Sequence, residues 1–183
     1  GRAIAAGKGY TNTMFLEETP HSHFPPGYPL FNAGILLFTH SYTALKIANG
    51  ILFGLSILIL FFLLKRISGN LFVALSTCLL CCMQQALLRY STIVMSEMLF
   101  TFLTLGVLYL ISLIDMDHLF YKKRPRSQII YFILMIIALN YIYFVRTMGT
   151  SIILAIIIYL GILCTQKILT FLKSKRKNDE ITI

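Results

Sequence analysis

The sequence predicts an all-α integral membrane protein with about five transmembrane helices and a juxtamembrane amphipathic helix. Three observations carry this. The chain is 57% hydrophobic and 13% charged, against about 25% charged residues in an average soluble domain. Its mean hydropathy is positive. Its apolar residues come in blocks close to the roughly 20 residues needed to cross a hydrocarbon core.

Residues 1–26 are polar and rich in turn formers (Gly7, Gly9, Asn12, Pro20, Pro25, Pro26) and read as an extramembrane loop. Residues 27–40, GYPLFNAGILLFTH, are apolar but too short to span, which suits a helix lying along the membrane surface with Pro29 in its first turn. The first clear span is about 43–64; at 1.5 Å per residue it covers roughly 33 Å and ends at Lys65-Arg66. Ser68-Gly69-Asn70 makes a tight turn. Spans of about 71–88, 93–114, 128–145 and 150–170 follow, so that 43–170 forms the helical bundle and 171–183 a basic tail.

The net charge of +9 is placed as a membrane protein places it, not as a nucleic-acid binder does. Alternating the sides groups Lys65, Arg66, Lys122, Lys123, Arg124, Arg126, Lys167, Lys173, Lys175, Arg176 and Lys177 on one face. Arg2, Lys8, Lys46, Arg89 and Arg146 fall on the other. The richer face is expected to be cytoplasmic, which puts the N-terminal loop outside. Nucleic acid is excluded as a partner because no globular domain carries the charge. The cysteines, Cys78, Cys81, Cys82 and Cys164, all lie in apolar blocks and read as small buried hydrophobes. No Walker motif, GxGxxG, GxSxG or HExxH occurs.

Some residues do not suit a plain membrane helix. Ionisable groups at membrane depth are costly and usually serve a purpose. Glu97 is expected about one turn inside the outer end of the third span, either paired with a neighbouring arginine or facing an outer cavity. Arg89 and Arg146, at outer ends, oppose the charge bias; they anchor the interface, pair with Glu97, or bind phosphate, for which the guanidinium fork is well shaped. The prolines of the run His21-Ser22-His23-Phe24-Pro25-Pro26-Gly27-Tyr28-Pro29 are expected to restrict the backbone to an extended, rigid path, so His23 and Tyr28 are candidates for fixed positions above the membrane. His-x-His spacing alone is a weak metal signal, and His40 and His118 read as interfacial.

The order of these features resembles the GT-C class of membrane glycosyltransferases, in the branch of the protein O-mannosyltransferases and aminoarabinose transferase. The matching elements are AIAAGKGYT (3–11), HFPPGYPL (23–30), the span ending at Lys65-Arg66, YSTIVMSEMLFTFLTLGVLYL (90–110) and Arg146-Thr147-Met148-Gly149. The resemblance implies sugar transfer from a polyprenyl-phosphate donor to a lipid, protein or glycan acceptor at the outer face of a bacterial plasma membrane. It implies substrate-binding roles for His23, Tyr28, Arg89, Glu97 and Arg146. The family's catalytic acidic residue is expected upstream of Gly1, so this stretch by itself is expected to be an inactive fragment. No metal ligand is assigned, and a divalent metal cofactor stays open. The rival reading is a transporter or flippase of lipid-linked sugars, which would carry broken helices and charges near mid-membrane. A structural membrane subunit would leave Arg89, Glu97, Arg146 and the proline segment unexplained.

Overall fold

A computed structural model describes residues 1–12, 19–20, 25–39, 41–114 and 126–181. The chain is an all-α membrane protein. Its elements are α1 (Arg2–Ala5), a two-residue antiparallel pairing of β1 (Thr11–Asn12) with β2 (Thr19–Pro20), α2 (Gly27–Leu36), α3 (Tyr42–Ser68), α4 (Leu71–Met83), α5 (Gln85–Thr92), α6 (Glu97–Leu113), α7 (Arg126–Val145) and α8 (Gly149–Ile181). The chain divides into two units, Gly1–Gly149 and Thr150–Ile183.

The long helices have clear local causes. Ser41 caps α3 by accepting from the Thr43 N–H, and Gly69 ends it by returning its N–H to the Lys65 carbonyl. Asn70 then caps α4, its side-chain oxygen taking the Phe72 N–H at 2.9 Å. At 27 residues, α3 is roughly 40 Å long, more than the hydrocarbon core requires. Helices α3, α7 and the 149–170 part of α8 are each long and apolar enough to cross a membrane.

The other two expected spans differ from the simple picture. The stretch 71–88 does not run straight. It breaks at Gln84, which is extended (φ −72°, ψ 114°), and α4 and α5 meet at a 63° bend. The apolar run ends at Met83, and the polar Gln84-Gln85 pair follows. Beyond the bend α5 is amphipathic, with Gln85, Arg89 and Thr92 on one face and Leu87 packed inward. Arg89 therefore lies inside a helix and not on a connecting turn. The expected 93–114 span is helical from Glu97 on, 17 residues or roughly 25 Å, because Ile93–Met95 is a non-helical turn in which the Met95 N–H donates to the Ile93 carbonyl.

In the first unit α6 packs between α3 and α7, with α4 and α5 against α3, and α2 against α7 and α3. Tyr28, Leu52, Met98, Leu99 and Val145 form a buried cluster, so the ends of α2, α6 and α7 and the N-terminal half of α3 meet at one end of the bundle. At the opposite end Arg66 Nε donates to the Ser112 carbonyl at 2.8 Å and Gln128 reaches the Leu113 carbonyl at 3.3 Å, covering carbonyls at the C-terminus of α6. Large apolar side chains such as Ile51, Leu58, Phe72, Leu79, Ile133 and Ile137 face outward, as lipid contact requires.

The tightest joint is between α2 and α7. A Cβ on Gly27 would stand 2.5 Å from the Phe144 carbonyl oxygen, which is backbone and cannot swing aside. Tyr141 Oη donates to the Gly27 carbonyl across the same joint at 3.0 Å. A Gly27→Ala change is expected to destabilise the protein by about 1–3 kcal/mol. Gly34→Ala, on the same helix but in open space, is expected to leave the unfolding temperature unchanged or raise it. Thermal unfolding of both variants in detergent checks this.

Candidate functional site

The N-terminus of α6 and the C-terminus of α7 bring two charges together. Glu97 is the first residue of α6, not a turn inside it, because the helix starts later than the apolar run. Its carboxylate thus lies where a helix N-terminus favours negative charge. Arg146 follows the last residue of α7, where positive charge is favoured. The two form an ion pair, Arg146 Nη1 to Glu97 Oε1 at 3.2 Å, with the arginine side chain 37% exposed and the glutamate 22%. The guanidinium also lies over the Phe100 ring at 5.8 Å, a cation–π contact one turn along α6.

The pair does not exhaust either partner. Glu97 Oε2 is buried and has no hydrogen-bond partner among the described residues. A guanidinium carries five N–H donors, and the structure commits one nitrogen to Glu97. The arrangement is a cation held by one carboxylate oxygen and one ring, with donors still open to solvent.

The Arg146-Thr147-Met148-Gly149 turn depends on its glycine. The Gly149 N–H bonds the Arg146 carbonyl at 2.9 Å. A Cβ at Gly149 would meet Ile142 Cγ2 at 2.7 Å and the Ile142 carbonyl oxygen at 2.9 Å. Only a residue without a side chain lets the chain turn this closely against the last turn of α7.

Tyr28 stands beside the pair in the buried cluster that includes Met98 and Val145. Burial raises its phenol above the ordinary tyrosine range; hydrogen bonds to Asn49 and Asn32 oppose this, and the Glu97 charge adds to it. Its hydroxyl therefore stays protonated at neutral pH. It shares hydrogen bonds with Asn49, Oη to Oδ1 at 3.4 Å and Nδ2 to Oη at 3.3 Å.

Of the residues singled out in the sequence, Tyr28, Glu97 and Arg146 are brought together. Arg89 is exposed on α5, and no ion pair reaches it among the described residues. His23 lies outside the described residues, as do His40, His118 and the basic loop residues Lys122, Lys123 and Arg124. Among the described residues no group of three His, Cys, Asp or Glu side chains converges.

Asn49 was missed in the sequence. It is 0% exposed and bonds the Tyr28 hydroxyl and the carbonyls of Ile93 and Met95. The signal that could have found it is a carboxamide inside an otherwise apolar span.

Fold and site define a multi-pass membrane protein with a charged site at one end of its helix bundle. The family model for dolichyl-phosphate-mannose-protein mannosyltransferases matches residues 13–181. The chain belongs to that family, one of membrane glycosyltransferases that use a lipid-linked sugar donor. No curated protein matches it, and no solved structure does.

The pair's strength follows from its exposure. A double-mutant cycle on Glu97→Gln and Arg146→Gln is expected to give a coupling of about 0.5–1 kcal/mol, read from unfolding in detergent. A coupling near zero would mean that the two charges do not hold each other.

Proposed function

We propose that this chain carries the donor-phosphate side of a glycosyltransferase. The enzyme moves a sugar from a polyprenyl phosphate to an acceptor hydroxyl at the outer membrane face, with the N-terminal loop extracytoplasmic and a bacterial plasma membrane as its setting. One observation carries the reading: Arg146 is held by Glu97 and Phe100 and still presents donors to solvent.

The chemistry needs such a group. The acceptor oxygen attacks the sugar's anomeric carbon, the bond from that carbon to the phosphate oxygen breaks, and its electrons leave on the lipid phosphate. The phosphate gains a negative charge as this happens. A preorganised cation beside it stabilises the transition state more than the ground state. Arg146 fills that role, and Glu97 fixes the direction of its fork. Glu97 Oε2 is buried and without a partner among the described residues, so in this reading a sugar hydroxyl donates to it once the side chain shifts on donor binding. Tyr28 lines the same end with a neutral hydroxyl. Arg89, on the exposed face of α5, is a second cation for the phosphate. His23 is assigned to the donor headgroup through the family resemblance. The acceptor hydroxyl gives its proton to a general base, a carboxylate by the family resemblance. The acceptor is a lipid, a protein or a glycan.

The 63° break between α4 and α5 favours a second reading, a flippase of lipid-linked sugars, since broken helices accompany substrate passage. The positions of the charges weigh against it. Glu97 and Arg146 stand at helix ends and not at mid-helix.

In the full-length protein, Arg146→Ala is expected to lower release of polyprenyl phosphate from its glycosylated form by about 10²–10³-fold. Arg146→Lys is expected to recover part of it, since charge returns without the fork. Release unaffected by Arg146→Ala overturns the phosphate role. Movement of the intact donor across the membrane, with no bond cleavage, would establish the flippase instead.

A further inference from the structure

We infer that Asn49 is a positioning residue for the Glu97–Arg146 pair, acting on both of its arms; the inference rests on the reading of that pair given above. Asn49 lies about two turns into α3, completely buried, and touches neither charge. Its importance comes from what it joins.

One arm runs to the glutamate. Residues Ile93–Met95 leave helical conformation just before α6 and form a tight turn, in which the Met95 N–H donates to the Ile93 carbonyl at 3.0 Å in place of a helical partner. Asn49 Nδ2 donates to the Ile93 carbonyl at 2.6 Å and approaches the Met95 carbonyl at 3.4 Å. Two carbonyl oxygens on one side require the amide nitrogen there, which fixes the orientation of the carboxamide. Two residues after Met95 comes Glu97. Asn49 thus sets where α6 begins and where its first carboxylate lies.

The other arm runs to the arginine. The Asn49 carboxamide holds the Tyr28 hydroxyl, and Tyr28 stands next to Gly27 on α2. The Gly27 carbonyl accepts from Tyr141 on α7, and its Cα rests on the Phe144 carbonyl, two residues before Arg146. Following the contacts from Asn49 through α2 to α7, across the ion pair to α6, and back through Ile93 closes a ring. Each link is a hydrogen bond, a backbone contact or the ion pair itself. A buried asparagine that merely stabilised α3 would not need partners on both sides of the pair.

The test uses the full-length protein and dolichyl phosphate in detergent micelles as the probe. Asn49→Leu keeps the volume and removes the donors; Asn49→Asp keeps the shape and removes the N–H groups. Either variant is expected to weaken dolichyl phosphate binding by roughly 10-fold, within the range that coupled contacts show. In an Arg146→Gln background the same change is expected to weaken binding by less than about twofold, because the charge that both arms aim is gone. An equal factor in both backgrounds overturns the inference, since Asn49 would then act independently of the pair. Loss of the folded state in both variants, read by thermal unfolding, also overturns it and makes Asn49 a fold determinant. If instead Arg146→Ala leaves dolichyl phosphate binding unchanged, it is the phosphate role of the pair that fails.

Discussion

A chain in lipid can leave the helix only where something other than water satisfies its backbone. That constraint governs the end of this bundle where α2, α6 and α7 meet. Between α5 and α6 the chain turns outside helical conformation, and the Asn49 carboxamide joins the Met95 N–H on the Ile93 carbonyl and also reaches the Met95 carbonyl. Without it the Met95 carbonyl would lose its side-chain donor and the Ile93 carbonyl would keep only the Met95 N–H. If α6 started one turn earlier, Glu97 would turn away from the helix end and from Arg146. The site geometry therefore traces back to one buried polar side chain in α3.

The packing shows the same economy. Between helices in lipid the hydrophobic effect supplies little drive, so close fit and polar links hold elements together. The α2–α7 joint is of this kind. Gly27 lets two backbones approach to contact, and Tyr141 crosses the joint with a hydrogen bond. The apolar cluster of Tyr28, Leu52, Met98, Leu99 and Val145 fills the space between. The opposite end is held by Arg66 on the Ser112 carbonyl and by Gln128 on the Leu113 carbonyl.

The electrostatics are consistent with a working cation. Each charge of the pair stands at the helix end that favours it, and Phe100 adds a face for the guanidinium. Such a pair keeps its geometry without being sealed off, since Arg146 remains more than a third exposed. Membership of the mannosyltransferase family gives this arrangement a chemical context, because the leaving group there is a lipid phosphate.

Much of this was legible in the residues. Block length and hydropathy determined that the chain is helical and membrane-embedded, because crossing a hydrocarbon core demands long runs of apolar residues whatever the neighbours are. The sequence also marked Glu97 and Arg146, since charge within or beside such runs is costly. It could not show that Gln84 bends the second apolar block, or that the helix of the third block, α6, starts at Glu97. Those depend on which distant group accepts or donates to the freed backbone. Asn49 was visible only as one polar residue in KIANGILFG, and its partners lie 21 to 46 residues away. Composition and periodicity are local properties and so determined fold class; the ion pair and the ring around Asn49 are long-range contacts, and tertiary structure alone decided them.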